Sequence, residues 1–313
     1  MTTGPIVEAV PNVSEGRDAA RLARFAAAVR ATPGVSLADV HADPDHHRSV
    51  FTVLGPPPAV AAAALALADA VVAEVDMRIH RGIHPRIGAL DVLPFVPLAG
   101  VTMAEAVALA HRTGRALAER YALPVYYYAE AARRPERRTL RELRHGEYEG
   151  LPARLASAEG SPDDGPARFD PRAGGLLVGA RDVLIAYNVW LASTDLDAAR
   201  AIARAVRASG GGLPAVQALG LPLASRGRVQ VSMNLLDYRV TPIPAAFDRV
   251  RDEAAGRGLA IERAELVGLA PRAAFAGRAL RSVGLEDIAP RPYLDTWLRG
   301  EPVDDGRSTR PSP

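Results

Sequence analysis

Five of the seven histidines lie in one short part of the chain. They occupy two polar segments, and they are His41, His46, His47, His80 and His84. The second segment, residues 77–91, contains Gly82 and Pro85, which argue against a continuous helix. Because an imidazole changes its charge close to neutral pH, such a cluster predicts acid–base chemistry or metal binding. For any single histidine, the alternative is a hydrogen-bonded support of its loop.

Metal binding is the first of these two chemistries. His80 and His84 are four residues apart, like two ligands on one helix face, and residues 43–47 offer two aspartates and two histidines. However, Gly82 and Pro85 disturb the helical geometry, and the chain contains no HExxH or HxH pattern. We therefore predict no metal.

Proton transfer by one histidine is the second chemistry. An imidazole can take a proton from an attacking amine and return it to a departing amine, which transfer of an acyl or amidine group between two nitrogens requires. Arg48 and Arg86 accompany the histidines, and guanidinium groups bind substrate carboxylates in a bidentate manner. Each arginine could equally pair with a nearby aspartate.

The composition excludes several other kinds of chemistry. The chain of 313 residues has no cysteine, and all 38 of its Lys and Arg residues are arginine. Disulfides, thiolate nucleophiles and lysine Schiff bases are therefore excluded. The net charge is only +2, and the arginine-rich stretch at residues 133–144 also contains Glu136 and Glu142, which is typical of a solvated helix face. We predict no nucleic-acid partner.

The ends of the chain and its apolar runs predict a cytoplasmic protein without a membrane partner. Residues 1–5 lack the charged start and apolar core of a signal peptide. The longest apolar run, residues 59–68, is too short to span a bilayer and is followed by Asp69 and Glu74. Residues 301–313 are polar and rich in Pro, Gly and Ser, as is typical of a disordered tail.

The elements that must position these residues occur twice in the same order. Apolar periodicity predicts strands at residues 6–11, 35–42, 49–54, 89–96, 124–128, 182–192, 216–224, 228–235 and 260–267. It predicts helices at residues 17–31, 57–75, 103–121, 138–145, 196–209 and 244–257. A Pro-, Gly- and Asp-rich loop at residues 152–175 separates two βαββαβ units. We predict an α/β (α+β) fold of two ferredoxin-like subdomains, residues 1–178 and 179–300, each with helices on one face of its sheet.

Short motifs found in one enzyme family run in order over residues 6 to 275. They are Glu8-Ala-Val-Pro-Asn-Val-Ser-Glu-Gly16, His47-Arg-Ser-Val50, Gly82-Ile-His-Pro-Arg-Ile-Gly-Ala-Leu-Asp91, Glu130-Ala-Ala-Arg133, Arg137-Arg-Thr-Leu140, Gly146-Glu-Tyr-Glu149, Pro162-Asp-Asp-Gly-Pro166, Gly179-Ala-Arg181, Leu184-Ile-Ala-Tyr-Asn188, Gln230-Val-Ser-Met-Asn-Leu-Leu-Asp237 and Leu266-Val-Gly-Leu269. With these motifs the chain resembles the glutamate formiminotransferase family, the formiminotransferase domain of formiminotransferase-cyclodeaminase.

The resemblance implies a fold, a reaction and partners. The two sheets are expected to face each other across a folate-binding tunnel, in a homodimer. The implied reaction, in one-carbon metabolism and histidine catabolism, moves the formimino group from N-formimino-L-glutamate to the co-substrate tetrahydrofolate. Its products are 5-formiminotetrahydrofolate and glutamate. The chain is too short to contain the cyclodeaminase domain that is fused to the vertebrate relatives.

The resemblance also assigns site residues. His84, in the His-Pro-Arg triplet, is the expected acid–base catalyst. The folate-contacting loop is expected at Gly165, Pro166, Ala167, Arg168, Phe169, Asp170, Pro171, Arg172, Ala173 and Gly174. Candidate substrate-binding residues are Asn12, Ser14, Glu15, His47, Arg48 and Arg86. The alternatives are a turn-stabilising role for Asn12, an N-cap role for Ser14, and for Asp91 a contact that ties its loop to the following strand.

Three positions differ from well-studied family members. His41 replaces an acidic residue of the catalytic site, Ile83 replaces the glutamate before the catalytic histidine, and Ala173 replaces a tryptophan of the folate loop. We therefore take His41 and Asp43 as candidates for orienting His84, with Asp45 as the alternative carboxylate. These differences keep two other hypotheses open: transfer or hydrolysis of formyl or formimino groups on a different amine, and an inactive folate-binding protein.

Overall fold

The computed structural model describes residues 4–286 and 292–298. Two β-sheets with helices packed against them make up this part of the chain. The predicted α/β fold of two α+β subdomains is therefore confirmed. The tail predicted at residues 301–313 lies outside the described residues.

The first subdomain is built on a seven-stranded sheet. Its strands are β1 (Val7–Ala9), β2 (Asn12–Val13), β3 (Ser36–Asp43), β4 (Arg48–Gly55), β5 (Leu90–Pro97), β6 (Val125–Ala129) and β7 (Leu176–Ala180). The edge strand β3 pairs with β4, and β4 pairs with both β1 and β2. β1 and β2 also pair with β5 on their other side. β5 then pairs with β7, and β7 pairs with β6. The pairings of β1 to β5 are antiparallel, and they have the strand order of a βαββαβ unit.

Two features of this sheet differ from the prediction. The single strand expected at residues 6–11 is divided into β1 and β2, because Pro11 has no amide hydrogen for the ladder. β7 follows the long loop directly and runs parallel to both β5 and β6. The subdomain boundary predicted after residue 178 falls within this strand.

Three helices cover one face of the first sheet. They are α1 (Ala19–Arg30), α2 (Pro57–Glu74) and α3 (Met103–Tyr121). α1 begins after Asp18, whose carboxylate accepts hydrogen bonds from two amides of the first turn. α3 begins with a capping box formed by Thr102 and Glu105. Phe51 and Phe95 from the sheet are fully buried beneath these helices.

By length and composition alone, α2 is apolar enough to cross a membrane. Its buried residues are Val60, Ala63, Ala64, Leu67, Ala68 and Val71. All six belong to the core of the first subdomain. A core helix of a globular domain passes the same test, so α2 is weak support for a membrane segment.

Two shorter helices, α4 (Leu140–Leu143) and α5 (Glu147–Leu155), cover part of the opposite face. The sequence predicts one helix at residues 138–145 and a loop from residue 152. Instead, α5 continues through Pro152, because Leu151 and Leu155 pack against Tyr126 in the sheet. Tertiary packing here outweighs the helix-breaking tendency of proline.

The second subdomain repeats the unit with four strands. Its elements are β8 (Ile185–Leu191), α6 (Leu196–Val206), β9 (Val216–Leu223), β10 (Arg228–Leu235), α7 (Ile243–Ala255), β11 (Ile261–Val267) and α8 (Leu294–Leu298). The strand order is β11-β8-β10-β9, and every pairing is antiparallel. Alternate residues of β10, such as Val229 and Val231, enter the core with residues of α6 and α7.

The open faces of the two sheets contact each other. On the face of the second sheet that points away from its core, Asn188 and Gln230 are polar and yet buried. His41 Nε2 of β3 lies 3.5 Å from Glu265 Oε1 of β11. The amide of Gly268, just after β11, donates to Asp39 Oδ2 of β3 over 3.2 Å. Side chains of the first subdomain therefore cover part of this face of the second sheet.

Candidate active site

The two histidine-bearing segments converge in the first subdomain, beside its contacts with the second. The β3–β4 turn, residues 44–47, meets the segment that joins α2 to β5. Together with neighbouring strands they line one small cavity. Its lining residues are Ser14, His46, His47, Arg48, His80, His84, Arg86 and Asp91. Five of the predicted site residues therefore lie together, namely Ser14, His47, Arg48, His84 and Arg86.

His84 is partly buried, and its contacts define its tautomer. Nδ1 lies 2.8 Å from the carbonyl oxygen of Pro85. A carbonyl can only accept, so Nδ1 carries the proton and Nε2 carries the lone pair. Burial, followed by the positive charges of Arg48 and Arg144, lowers the pKa of His84 well below its ordinary value. The imidazole is therefore neutral at neutral pH and able to accept a proton.

Arg48, the first residue of β4, contacts both ring nitrogens of His84 through Nη1. Burial and the nearby charge of Arg144 lower the pKa of Arg48 to about 9, so it remains charged at neutral pH. Its Nε is buried without a hydrogen-bond partner. Within residues 4–286 and 292–298, no carboxylate forms a salt bridge with Arg48. The cavity thus contains a cation that is available to an anionic ligand.

Asp91 and Ser14 hold the His84 segment in place. Asp91 Oδ1 accepts from the amide of Ile87 over 2.7 Å, and its second oxygen accepts from Arg144. The interpretation of Asp91 as a tie between loop and strand is confirmed. Ser14 Oγ donates to the carbonyl of Gly88 over 2.7 Å. The alternative of Ser14 as helix N-cap is wrong, since Asp18 occupies that position.

Arg86 is engaged by the protein itself. Its guanidinium binds Glu149 in a bidentate manner, with both contacts at 2.7 Å, and Glu147 at 3.0 Å. Nε of Arg86 lies 3.4 Å from His80 Nδ1. These contacts join α5 to the histidine segment, so Arg86 supports the site here instead of presenting a free anchor for a substrate carboxylate.

His47 and His80 form a stacked pair with ring centroids 4.3 Å apart. His47 Nδ1 donates to the carbonyl of Arg81, and Nε2 lies 3.3 Å from Glu15 Oε1. His80 Nε2 donates to the carbonyl of His47 over 2.8 Å. Burial lowers the pKa of His80 to about 4, so this ring is neutral.

Glu15 and Asn12 have local partners as well. Burial alone would raise the pKa of Glu15, but hydrogen bonds from His47, from backbone amides that include Arg17, and from Arg21 lower it far below its ordinary value. Asn12 Nδ2 donates to the carbonyl of Val10 over 2.7 Å, as the turn-stabilising alternative predicts. Neither residue is among those that line the cavity, and Glu15 reaches it only through its contact with His47.

His41 and Asp43 do not orient His84, in contrast to the prediction. Asp43 Oδ1 accepts from the amides of Asp45 and His46, each over 2.8 Å, so it shapes the β3–β4 turn. His41 pairs with Glu265 of the second subdomain. Among the described residues, the carbonyl of Pro85 fixes the tautomer of His84 instead. The alternative carboxylate, Asp45, binds the backbone and hydroxyl of Ser225 at 2.9 and 2.7 Å.

The predicted folate loop lies against the His84 segment. The amide of Ala89 donates to the carbonyl of Ala173 over 2.9 Å, and Gly174 forms a bridge with Gly88. Asp170 caps the loop by accepting from the amides of Arg172 and Ala173. Ala173 is buried and lines a small apolar pocket between α2 and α3, so its side chain packs inside the subdomain.

Sequence reasoning missed two residues of the site, Arg144 and Gln230. Arg144 lies in the stretch interpreted as a solvated helix face, but its side chain is only 12% exposed and pairs with Asp91. Arg137 of the same stretch is buried against Asp163, so that interpretation is wrong for both. Gln230 reaches His46 from the second subdomain over 3.0 Å. Local spacing does not reveal contacts between distant segments.

In the part of the chain that the structure describes, no group of three or more His, Asp or Glu side chains is placed to hold a metal ion. The spacing of four between His80 and His84 does not produce a shared ligand position, because His80 donates to a carbonyl and accepts from Arg86. The cavity instead combines neutral imidazoles with an arginine that lacks a carboxylate partner.

Comparisons with known proteins identify the family of the chain. Residues 6–181 match the formiminotransferase domain, N-terminal subdomain, and residues 186–280 match the formiminotransferase domain. The chain belongs to the formiminotransferase family. It is 44% identical to a glutamate formimidoyltransferase of Thermoplasma acidophilum, over 86% of this chain and 89% of that one. A glutamate formimidoyltransferase of Streptococcus pyogenes serotype M1 is 37% identical over 90% and 95% of the two chains.

Longer relatives also match. The formimidoyltransferase-cyclodeaminase of Rattus norvegicus is 44% identical over 85% of this chain, which spans 50% of that protein. The chain thus spans about half the length of this relative.

Proposed function

We propose that this protein transfers the formimino group of N-formimino-L-glutamate to tetrahydrofolate, giving 5-formiminotetrahydrofolate and glutamate. The observation that carries the proposal is the pairing of a neutral imidazole, His84, with Arg48, a cation without a carboxylate partner in the described chain. Acid–base transfer between two amines needs the first, and a dicarboxylate donor suits the second. Similarity to relatives named glutamate formimidoyltransferase supports the same reaction.

The proposed mechanism uses only the side chains of the cavity. N5 of tetrahydrofolate attacks the amidine carbon, and His84 Nε2 removes the proton from N5. The tetrahedral intermediate collapses as the bond to the glutamate nitrogen breaks, and that nitrogen takes up the proton that His84 removed from N5. The Nδ1–H contact with Pro85 keeps the lone pair on Nε2 throughout. Since Arg48 contacts Nε2 here, we infer that a substrate carboxylate draws its guanidinium away from the imidazole.

Two unpaired polar atoms between the sheets support a folate site there. Thr52 Oγ1 of β4 and Gln230 Oε1 of β10 are buried without hydrogen-bond partners. Leaving a buried polar atom unpaired costs about 1–3 kcal/mol, so a polar ligand that reaches them gains affinity. The pterin ring of tetrahydrofolate carries several nitrogen-bound hydrogens that could pair with such oxygens. The folate is a co-substrate here.

The test is a turnover assay. Purified protein in the presence of a chelator is mixed with N-formimino-L-glutamate and tetrahydrofolate, and product is followed by absorbance after acid conversion to methenyltetrahydrofolate. We expect steady production that requires both substrates. If N-formimino-L-glutamate gives no product but another formimino or formyl amine does, the donor is a different amine and the transfer chemistry is the same. Folate binding without any transfer would instead favour an inactive folate-binding protein.

We also propose a homodimer that acts in the cytoplasm, on the basis of the family resemblance alone. Light scattering of the purified protein measures the first point. A mass of twice 33.1 kDa is the expected value, and a mass equal to one chain would contradict it. Fractionation of cells that express the protein at its natural level tests the location.

A further inference from the structure

A second imidazole lies beside the first in the cavity. The ring centroids of His46 and His84 are 5.8 Å apart, and the rings are tilted by 59°. At this separation one substrate nitrogen, or one water molecule, can contact both rings. The family resemblance assigns no role to His46, and the mechanism above does not use it.

The position of His46 is strongly determined. Its backbone amide donates to Asp43 Oδ1 over 2.8 Å, which fixes the turn. Its ring is tied to the other subdomain, because Gln230 Nε2 lies 3.0 Å from His46 Nε2. Asp45, the residue before it, binds Ser225. A solvent-exposed loop histidine would not require contacts from two subdomains.

The charges around the two rings differ. His84 is faced by Arg48 and Arg144, which disfavour a proton on its ring. Around His46 the charged and titratable groups are Asp43, Arg48, Glu265 and His41. Burial lowers the pKa of His46, while Asp43 and Glu265 oppose that effect. The carboxylates of Asp43 and Glu265 thus favour a proton on His46, whereas the charged groups that act on His84 are cationic.

Gln230 can satisfy His46 in either protonation state. An amide nitrogen donates, so His46 Nε2 accepts in the arrangement seen here, and Nδ1 carries the proton. Gln230 Oε1 is buried and has no partner. Rotation of the amide exchanges the two atoms and lets Oε1 accept from Nε2–H, as a protonated His46 requires. In that rotated arrangement the neutral ring carries its hydrogen on Nε2, so Nδ1 has the lone pair and can receive and release a proton.

We propose that His46 is the second proton carrier of the reaction: it receives from His84 the proton removed from N5 and delivers it to the departing glutamate nitrogen. The bond from N5 to the amidine carbon forms, and the bond from that carbon to the glutamate nitrogen breaks, leaving its electron pair on nitrogen. One proton leaves N5 and one proton reaches glutamate, so His84 and His46 both end neutral. The proposal rests on the proposed formimino transfer.

The test combines His46→Gly with chemical rescue. We expect kcat to fall by about 10²-fold, the usual contribution of one acid–base group, while KM and folate binding stay near the wild-type values. Added imidazole should restore kcat, and more basic imidazoles should restore it to a different extent, since a proton is transferred. Ser225→Ala, which removes a neighbouring contact between the same turn and the second subdomain, serves as the matched control and should not respond to imidazole.

Two outcomes would contradict the proposal, and a third would overturn the proposed function on which it rests. His46→Gln, which retains a hydrogen-bonding amide of similar size, would have wild-type kcat if the role were structural. Equal losses in His46→Gly and Ser225→Ala without rescue would show that only the turn matters, provided thermal unfolding confirms that both variants are folded. A wild-type protein that binds folate but transfers nothing would overturn the proposed function itself, which separates that failure from the failure of His46.

Discussion

The β3–β4 and β9–β10 hairpins, which contact each other, have the same backbone conformation at the end of the turn but different side-chain partners. The β3–β4 turn ends with His47 and the β9–β10 turn with Gly227, and both residues have left-handed backbones, with φ of 50° and 59°. The next residue is an arginine in each case. Arg228 forms an exposed ion pair with Glu262, whereas Arg48 lies in the cavity without a carboxylate partner in the described chain.

This difference shows how a repeated scaffold acquires one site. Both units supply a hairpin at the same place, but only the first carries groups that are costly to the fold: a non-glycine residue in left-handed conformation and a partly buried, unpaired cation. The second hairpin contributes contacts that close the cavity, such as Ser225 with Asp45. When one repeat carries groups that reduce the stability of the fold and the other repeat lacks them, we infer that the first repeat holds the functional site.

The largest effect is expected at Arg48, the arginine of the β3–β4 hairpin. Arg48→Met should lower kcat/KM for the formimino donor by about 10³-fold, because two charge-assisted hydrogen bonds of about 2 kcal/mol each are lost. Its melting temperature should not fall, since an unpaired cation leaves the interior. Arg228→Met is the matched control and should retain activity, with a stability change below about 1 kcal/mol. An equal loss of kcat/KM in both variants would contradict the claim that only the β3–β4 hairpin carries a functional arginine.

The next effect concerns a buried acid on the open face of the first sheet. Burial, opposed by the charge of Arg181, raises the pKa of Glu8 from about 4.5 to about 7. Its protonated form therefore contributes stability below pH 4.5, and this contribution is lost as the pH rises through about 7. Between those values the loss amounts to about 3 kcal/mol.

Glu8→Gln should remove this dependence. Urea unfolding at pH 5 and at pH 8 measures it: the variant should gain stability relative to wild type at the higher pH. Glu262→Gln, at a half-exposed position of the second subdomain, serves as the control and should show no such gain. A wild-type stability that rises steadily from pH 5 to pH 8 would contradict the assignment.

The smallest effect sharpens the comparison of the two turns. Gly227→Ala should lower the free energy of unfolding by about 1 kcal/mol, because an alanine at φ 59° is strained. No atom lies within 4 Å of the position of its Cβ, so backbone strain is the only cause. Gly256→Ala, at φ −61°, is the matched control and should not lower stability. Thermal unfolding of both variants measures the difference.

Much of the fold follows from local sequence, and the exceptions have physical causes. The two βαββαβ units follow from apolar periodicity and from turn residues such as Pro33 and Gly34. β7 escapes prediction because it is a five-residue apolar run with no periodic signal of its own. α5 continues through Pro152 because Leu151 and Leu155 are buried. Both cases depend on packing partners far away in sequence.

The site was harder to predict than the fold. The histidine cluster and Arg48 are visible as residue types, and the structure brings them together in one cavity. Their individual partners are not visible, because Arg86 meets α5 and His41 meets β11 only after folding. Gln230 lies 184 residues from His46, a separation at which no spacing rule operates.

The central claim is that His84 is the base, and one variant tests it most directly. Single-turnover formation of 5-formiminotetrahydrofolate is measured with chelator present for wild type, His84→Gln and His111→Gln. His111 binds the carbonyl of Ala131, outside the cavity, and its variant should react like wild type. We expect His84→Gln to bind folate normally and to transfer about 10³-fold more slowly. Transfer at the wild-type rate by His84→Gln would contradict the account.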